Sequence, residues 1–469
     1  MFSQNVRQEI KLMSRNSWLL CLILALVVLC FYAGHNGKNH FYRRQTDQEK
    51  AIRGQVEKEQ RVFEAAQALD QGKEHPNAFR LSPMNYSMAT GSLATMAASE
   101  MSMLSIGQSD LYTHQLSISS RQDLATLSYN ELNNPVQLLF GKFDLTFVIG
   151  YLVPLLIIAF TYNLRTEELE SGRLKLLASN PVKINFWLLQ RFVIRYCTLA
   201  IILTIVLIGV IWWIGIGFQS SLLRYFFLIY GYLAFWFALS FLMNVLGYSS
   251  ARNAVSLLSL WIVLVLLVPT IINQTASTAY PMPSRVTLLN EIRSTKKALK
   301  DQQDKVLDEY LRNHPELIRN EGENAYAYWQ GFFASQEMAE KALSPLIEKF
   351  DQQVVKQQKW VDAWGYLSPA ILFQAGATQL AGTSSVDYNR FKSKVKDFSI
   401  EWRTYFLPYV FDNNMLKLGD LSGLPKFEHE IVSDPKDVFI PLLVLIALSM
   451  LMVMGGLMME RKKQLIPFA

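Results

Sequence analysis

Six long apolar runs constrain this chain more than any other feature. They fall near residues 17–34, 145–163, 192–218, 225–246, 254–272 and 438–459. Roughly 20 apolar residues cross about 30 Å of hydrocarbon as a helix. Inside lipid every backbone N–H and C=O must be satisfied within the protein, which leaves helices or closed barrels. These runs are continuous rather than alternating, so they predict helices. Hydrophobic residues make up 51% of the 469, above the roughly 45–50% of soluble domains, and the excess is confined to the runs. The expectation is an all-α polytopic membrane protein with six transmembrane helices. The first run is long, and Phe31-Tyr32-Ala33-Gly34-His35 follows it without a small-residue cleavage site. It therefore reads as a span rather than a signal peptide.

Basic residues set the orientation. Arg7, Lys11 and Arg15 precede the first span; Arg165, Arg173, Lys175, Lys183 and Arg191 lie in the stretch between the second and third; Arg252 follows the fourth; Arg461, Lys462 and Lys463 follow the sixth. The loop between the third and fourth offers only Arg224. Lys and Arg accumulate on the cytoplasmic side, so residues 1–16, 164–191 and 460–469 are expected inside and the long segments 35–144 and 275–436 outside. The net charge of +6 then belongs to membrane topology and surface anchoring, and no nucleic-acid partner is expected.

The two outer segments lack cysteine; Cys21, Cys30 and Cys197 all lie in spans and read as buried structural residues. The lobes must hold together by packing, without internal disulfides. The first opens with a helix from Thr46 to Gln71, in which Ile52, Val56, Phe63, Ala66 and Leu69 recur at helical spacing, ended by Gly72 and Pro76. Strands are expected somewhere within 81–119. In the second lobe Ser284 is placed to cap a helix carrying Leu288, Leu289, Ile292, Leu299, Val306 and Leu307. Asn313-His314-Pro315 breaks it, and further helices follow over 324–360 and 385–405. The lobes are expected to be mainly helical, with some strand in the first.

Several chemistries lack their residues. No G-x-x-x-x-G-K-[ST] phosphate loop and no H-E-x-x-H zinc motif occurs, and the six histidines are scattered over the outer segments. The chain is therefore not expected to be an enzyme, and no metal or cofactor site is expected in it. The spans carry almost no ionisable groups; Arg195 sits near the inner end of the third, where it can snorkel. Carriers driven by protons or sodium usually place carboxylates or broken helices at the midplane. A lipid-like or other amphipathic substance suits such an apolar interior better than a small ion. Pro154 and Pro269 interrupt the second and fifth spans, as hinges or as fixed kinks. Gly455-Gly456 in the sixth admits close approach of another helix, from this chain or a second copy. Trp360, Trp364 and Trp402 of the second lobe read as core or as the lining of an amphipath groove.

The segment 167–182 is charged and amphipathic. Leu169, Leu174, Leu176 and Leu177 can bury one side, Glu167, Glu168, Glu170 and Lys175 can face water, and Pro181 ends it. Its pattern Glu170-x-Gly172-x-Leu174-x-x-Leu177-x-x-x-Pro181 resembles the coupling-helix signature of type-2 ABC exporter permeases, with Arg173 where Thr is common. Leu104-Ser105-Ile106-Gly107-Gln108-Ser109-Asp110-Leu111 resembles one subfamily of these permeases, related to gliding-motility permeases, which carries large external insertions after spans one and five. So do Asn134-Pro135 through Gly141-Lys142-Phe143-Asp144, and Leu367-Ser368-Pro369-Ala370 with Gln379-Leu380-Ala381-Gly382-Thr383 and Phe391. The resemblance implies a permease subunit in a bacterial cytoplasmic (inner) membrane, paired with a second copy or paralogue. It implies cytosolic ABC ATPase subunits that bind ATP and Mg. Glu168, Glu170, Gly172, Leu174, Leu177 and Pro181 become the expected ATPase-coupling surface: the acids would meet basic residues of the ATPase, Gly172 would permit close approach, and the leucines would anchor. The alternative is ATP-driven mechanical signalling to a periplasmic protein, with nothing crossing the membrane.

Overall fold

The computed structural model describes residues 2–107, 109–120, 143–174, 184–246, 249–282, 284–318, 327–412, 414–429 and 436–463. Six helices are long and apolar enough to cross a membrane: Ser17–Asp70, Leu145–Glu170, Phe186–Ile214, Ser220–Leu246, Ser250–Ala279 and Val438–Met459. The protein is an all-α polytopic membrane protein, with one small two-stranded sheet among the described residues.

Helix ends differ from the expected span ends at several places, two of which have a clear physical cause. The first span is not a separate helix ending near residue 34. Its helix continues without a break to Asp70, 54 residues in all, about 80 Å at 1.5 Å per residue. The outer helix expected from Thr46 is thus the same rod. The third span ends at Ile214 rather than Phe218, because Gly215 takes φ 87°. Its N–H and that of Ile216 fold back onto the Ile211 carbonyl at 3.0 and 3.2 Å, a left-handed glycine stop that apolar Ile216 and Phe218 conceal in the sequence.

Spans four and six pack most tightly. A Cβ on Gly231 would lie 2.6 Å from Leu442 Cδ1, and one on Gly456 would lie 2.9 Å from Phe241 Cε1. Gly456 is therefore an internal contact, whereas Gly455 has open space beside it. Of the cysteines only Cys30 is buried; Cys21 and Cys197 lie on the outer face of their helices, where lipid can cover an apolar thiol as well as protein can.

Both span prolines sit directly after π-helical turns, Val148–Leu152 before Pro154 and Ile262–Leu267 before Pro269. Proline lacks the N–H that would close the preceding turn, so a carbonyl is released inside the membrane. Each finds a hydroxyl from another helix. Gly150 O accepts from Tyr232 Oη at 2.6 Å, and Leu264 O accepts from Ser368 Oγ at 2.7 Å. These cross-helix bonds pin the two kinks.

The two long segments after spans one and five share a core rather than packing as two separate lobes. The long first helix ends at Gly72 as expected, with Lys73 N–H reaching Ala68 O at 2.9 Å. Strands β1 (Ser92–Thr95) and β2 (Gln115–Ile118) follow, antiparallel, with Ser92 opposite Ile118. Val62, Ala66, Tyr86 and Ile118 of this segment bury against Phe391, Phe398, Trp402 and Phe406 of the helix Ser385–Phe411. One core therefore joins the two insertions. Farther along, helix Arg285–Asp301 packs on Ala327–Trp364 through Leu288, Ile292, Leu343 and Phe350, and helix Gln303–Asn313 packs on it through Val306, Tyr310 and Ala334. Ser284 precedes the first of these but makes no side-chain cap bond. The apolar helix Pro369–Ala381 turns back and buries Phe373, Ala377 and Leu380 in the core of the membrane bundle.

Two substitutions test this arrangement. Tyr232→Phe strands the Gly150 carbonyl and should lower stability by about 1–3 kcal/mol, the cost of an unsatisfied buried acceptor, read from denaturant unfolding in detergent. Phe391→Ala should cost about 3–5 kcal/mol and raise hydrogen exchange over 62–66 as well as 388–406. A change confined to 388–406 would contradict the shared core.

Candidate functional site

The turn after span two is the centre of a polar node at the end of the bundle that carries the N-terminus. Thr166–Glu170 forms a five-residue helix. Gly172 then takes φ 75°, which only glycine adopts without strain; a Cβ there would touch nothing within 4 Å. The value of Gly172 lies in its backbone freedom, not in the close approach expected of it. Leu174 is buried, while Leu169 is 47% exposed, the reverse of the burial expected for Leu169. Leu177 and Pro181 lie outside the described residues.

Neither of the singled-out acids simply faces water. The Glu170 carboxylate accepts from the Ser250 N–H at 2.9 Å and its hydroxyl at 3.0 Å, so it caps the start of span five, where helix N–H groups favour negative charge. Thr166 Oγ1, fully buried, lies 2.8 Å from Ser250 Oγ. Glu168 accepts from Arg173 Nε at 2.8 Å and from Arg191 Nη1 of span three at 3.3 Å. Arg165 closes span four: its N–H donates to Asn244 Oδ1 at 3.2 Å, and its guanidinium donates to the Asn244 and Val245 carbonyls. Asn244 in turn donates to Thr161 O at 2.9 Å. One short turn is thereby fixed to spans three, four and five.

The deepest part of the node was not anticipated. Glu9, on the N-terminal helix Phe2–Arg15, is 4% exposed. Arg191 Nε donates to one of its oxygens and Arg195 Nε to the other, the latter at 2.9 Å. Arg191 also donates to Leu164 O at 3.0 Å, and Arg195 to Phe160 O. Arg195 does not snorkel to an interface, because a carboxylate and a carbonyl hold it inside. Asn5 adds a bond to Gln190 at 3.1 Å. The one sequence signal for Glu9 is that it is the only acid before Asp47.

A second convergence occurs at the opposite end of span two. Asp144 caps that span through Phe147 N–H at 2.7 Å, and its other oxygen accepts from Ile106 N–H at 2.8 Å. Thr383 Oγ1 donates to Ser105 O at 3.0 Å, and a Cβ on Gly107 would lie 2.7 Å from Thr378 Cγ2. Ser368 caps the helix Pro369–Ala381 through Ile371 N–H at 3.3 Å while holding Leu264 O. The stretches 104–107, 143–144 and 367–383, far apart in sequence, thus meet at one junction. Asn134, Pro135, Gly141 and Lys142 lie outside the described residues. Among the described residues no group of three or more His, Cys, Asp or Glu is placed to hold a metal ion.

Comparison with known proteins yields one family model, described as a domain of unknown function (DUF3526), over residues 285–430. No curated protein and no solved structure matches. The matched stretch runs from the first helix of the second insertion through the helix Ser385–Phe411. It includes the bundle-facing helix Pro369–Ala381 but none of the polar node.

The node makes unequal contributions to stability. Glu9→Gln leaves two buried guanidinium groups without their carboxylate and should cost about 3–5 kcal/mol. Glu167→Gln touches the exposed 3.5 Å contact with Arg173 and an exposed 2.8 Å bond from the Asn163 amide, which a glutamine oxygen can still accept, and should cost at most about 1 kcal/mol. Denaturant unfolding of both variants in detergent checks the contrast.

Proposed function

We propose that this chain is the membrane subunit of an ATP-driven ABC transporter that moves a lipid-like or other amphipathic substance. In this reading it sits in a bacterial cytoplasmic membrane with the node inside and the joined insertions outside, beside a second copy or paralogue. ATP and Mg bind on separate cytosolic ATPase subunits. The observation that carries the reading is the turn 166–174: it projects Leu169 and a left-handed Gly172 outward while its acids tie it inward to spans three and five. A load on Leu169 passes through Glu168 to Arg191 of span three and through Glu170 to Ser250 of span five. Through span two itself it arrives at Asp144, where Ile106 and the Pro369–Ala381 helix are attached. Glu168 and Glu170 are then transmitting residues, and Leu169 with Gly172 is the contact surface.

One observation favours the second reading, mechanical signalling without translocation. The first helix runs unbroken from its apolar segment into the shared outer core, so tilt of span one displaces that core directly. A periplasmic protein would be the receiver.

Purification from the native membrane after mild solubilisation tests the ATPase coupling common to both readings. An ATPase with ABC motifs should accompany the wild type and be lost from Leu169→Asp, whose thermal midpoint should stay at the wild-type value because Leu169 is exposed. Absence of any such ATPase, or its full retention on Leu169→Asp, would overturn the proposal.

A further inference from the structure

Just beyond its apolar segment the first helix carries an unusual group of charges. Counting about 20 residues from Ser17 puts the edge of the hydrocarbon near Asn36, so His40 to Asp47 occupy the next turns, at and above headgroup level. Lys38 Nζ donates to Trp213 O at 3.3 Å and His35 stacks on Trp213, contacts typical of that boundary. His40, Arg43, Arg44 and Asp47 recur at spacings of three and four, so they share one face of the helix. They form one wall of a cleft of about 380 Å³, and Thr113, His114 and Gln115, leading into β2, form the other.

Arg44 is 8% exposed. Its Nη2 donates to Met96 O at 2.7 Å and Ala97 O at 3.2 Å. Its Nε has no partner, and no ion pair reaches it among the described residues. A buried guanidinium normally has a carboxylate, since an uncompensated buried charge costs several kcal/mol. Arg43, exposed, lies beside it with no ion pair among the described residues. The only carboxylate in the lining, Asp47, is exposed and pairs with neither arginine. Burial, with Arg44 and His40 adding to it, pushes the His114 imidazole down to about 2. It stays neutral at any physiological pH, and its Nε2 is unpartnered. The cleft is therefore electropositive, lacks an internal counter-ion among the described residues, and carries the guanidinium groups of Arg43 and Arg44 along one wall.

We propose that this cleft binds the phosphate headgroup of an anionic lipid. Arg44 and Arg43 supply charge-assisted donors. The acyl chains follow the exposed stripe of Tyr32 and Val28, which lies on the same side of the helix as Arg43. Placement at headgroup level is what favours a lipid over a soluble anion. The site does not depend on ATPase coupling and stands or falls separately from it.

The test uses the full-length protein in detergent, with native mass spectrometry and thermal unfolding read on addition of phosphatidylglycerol, phosphatidylcholine or inorganic phosphate. Phosphatidylglycerol should be retained and raise the midpoint, and the other two should do neither. Arg43→Gln, at an exposed position that should not disturb folding, should weaken phosphatidylglycerol binding about tenfold, the equivalent of one charge-assisted bond. Arg44→Gln should abolish binding if the variant folds. Arg53→Gln, farther along the same helix and paired with Glu49 at 3.8 Å, should bind as wild type does. Equal binding by Arg43→Gln and wild type, equal loss in Arg53→Gln, or stabilisation by phosphate alone would each overturn the proposal.

Discussion

A single carboxylate, that of Glu9, holds two arginines of span three inside the protein, and much of the node follows from it. Burying Arg191 and Arg195 beside an apolar bundle is tolerable only with an opposing charge and bonded carbonyls. Glu9 supplies the charge, and the Phe160 and Leu164 carbonyls supply further acceptors. Arg191 then has donor capacity left for Glu168, so the turn after span two is positioned by a residue on the N-terminal helix that it does not touch through Glu168 itself. The same logic recurs with neutral groups. Pro154 and Pro269 release carbonyls in the spans, and Tyr232 and Ser368 answer from elsewhere. In a medium without water, each local defect in a helix becomes a specific link to a second helix.

These links give the bundle an order of connection. Span two is held at one end by Glu168, Glu170 and Arg165, at its kink by Tyr232, and at the other end by Asp144. Asp144 joins it to Ile106 of the first insertion, and Thr383 of the second insertion meets Ser105 next door. Displacement of span two is therefore shared by both insertions, whatever the load is used for.

The parts of this architecture that obey local rules were readable in advance. Apolar runs of bilayer length, the Gly72 stop, a strand pair within 81–119 and the helices around Leu288 and Phe391 each rest on neighbours in sequence. The third-span boundary was misplaced because a glycine stop was followed by more apolar residues. The site was legible only in outline. Glu168 and Glu170 stand out in the sequence as acids on an amphipathic turn, but their partners, Arg191 and Ser250, come from later spans. Glu9, Tyr232 and Asp144 gain their meaning from residues far along the chain, and no periodicity announces such pairs. The resemblance stretches were likewise visible singly, whereas their meeting at the end of span two belongs to tertiary structure.

The core shared by the two insertions bears on how the chain is made. During synthesis Val62, Ala66 and Tyr86 emerge early, while Phe391, Trp402 and Phe406 appear only after the next four spans have been made. Until then the first insertion has a bare apolar flank and a partner still unborn, a state prone to sticking to other chains. Such a protein has reason to require a holding chaperone on the side of the membrane where the insertions lie, or a slow ribosome, long before its fold is complete.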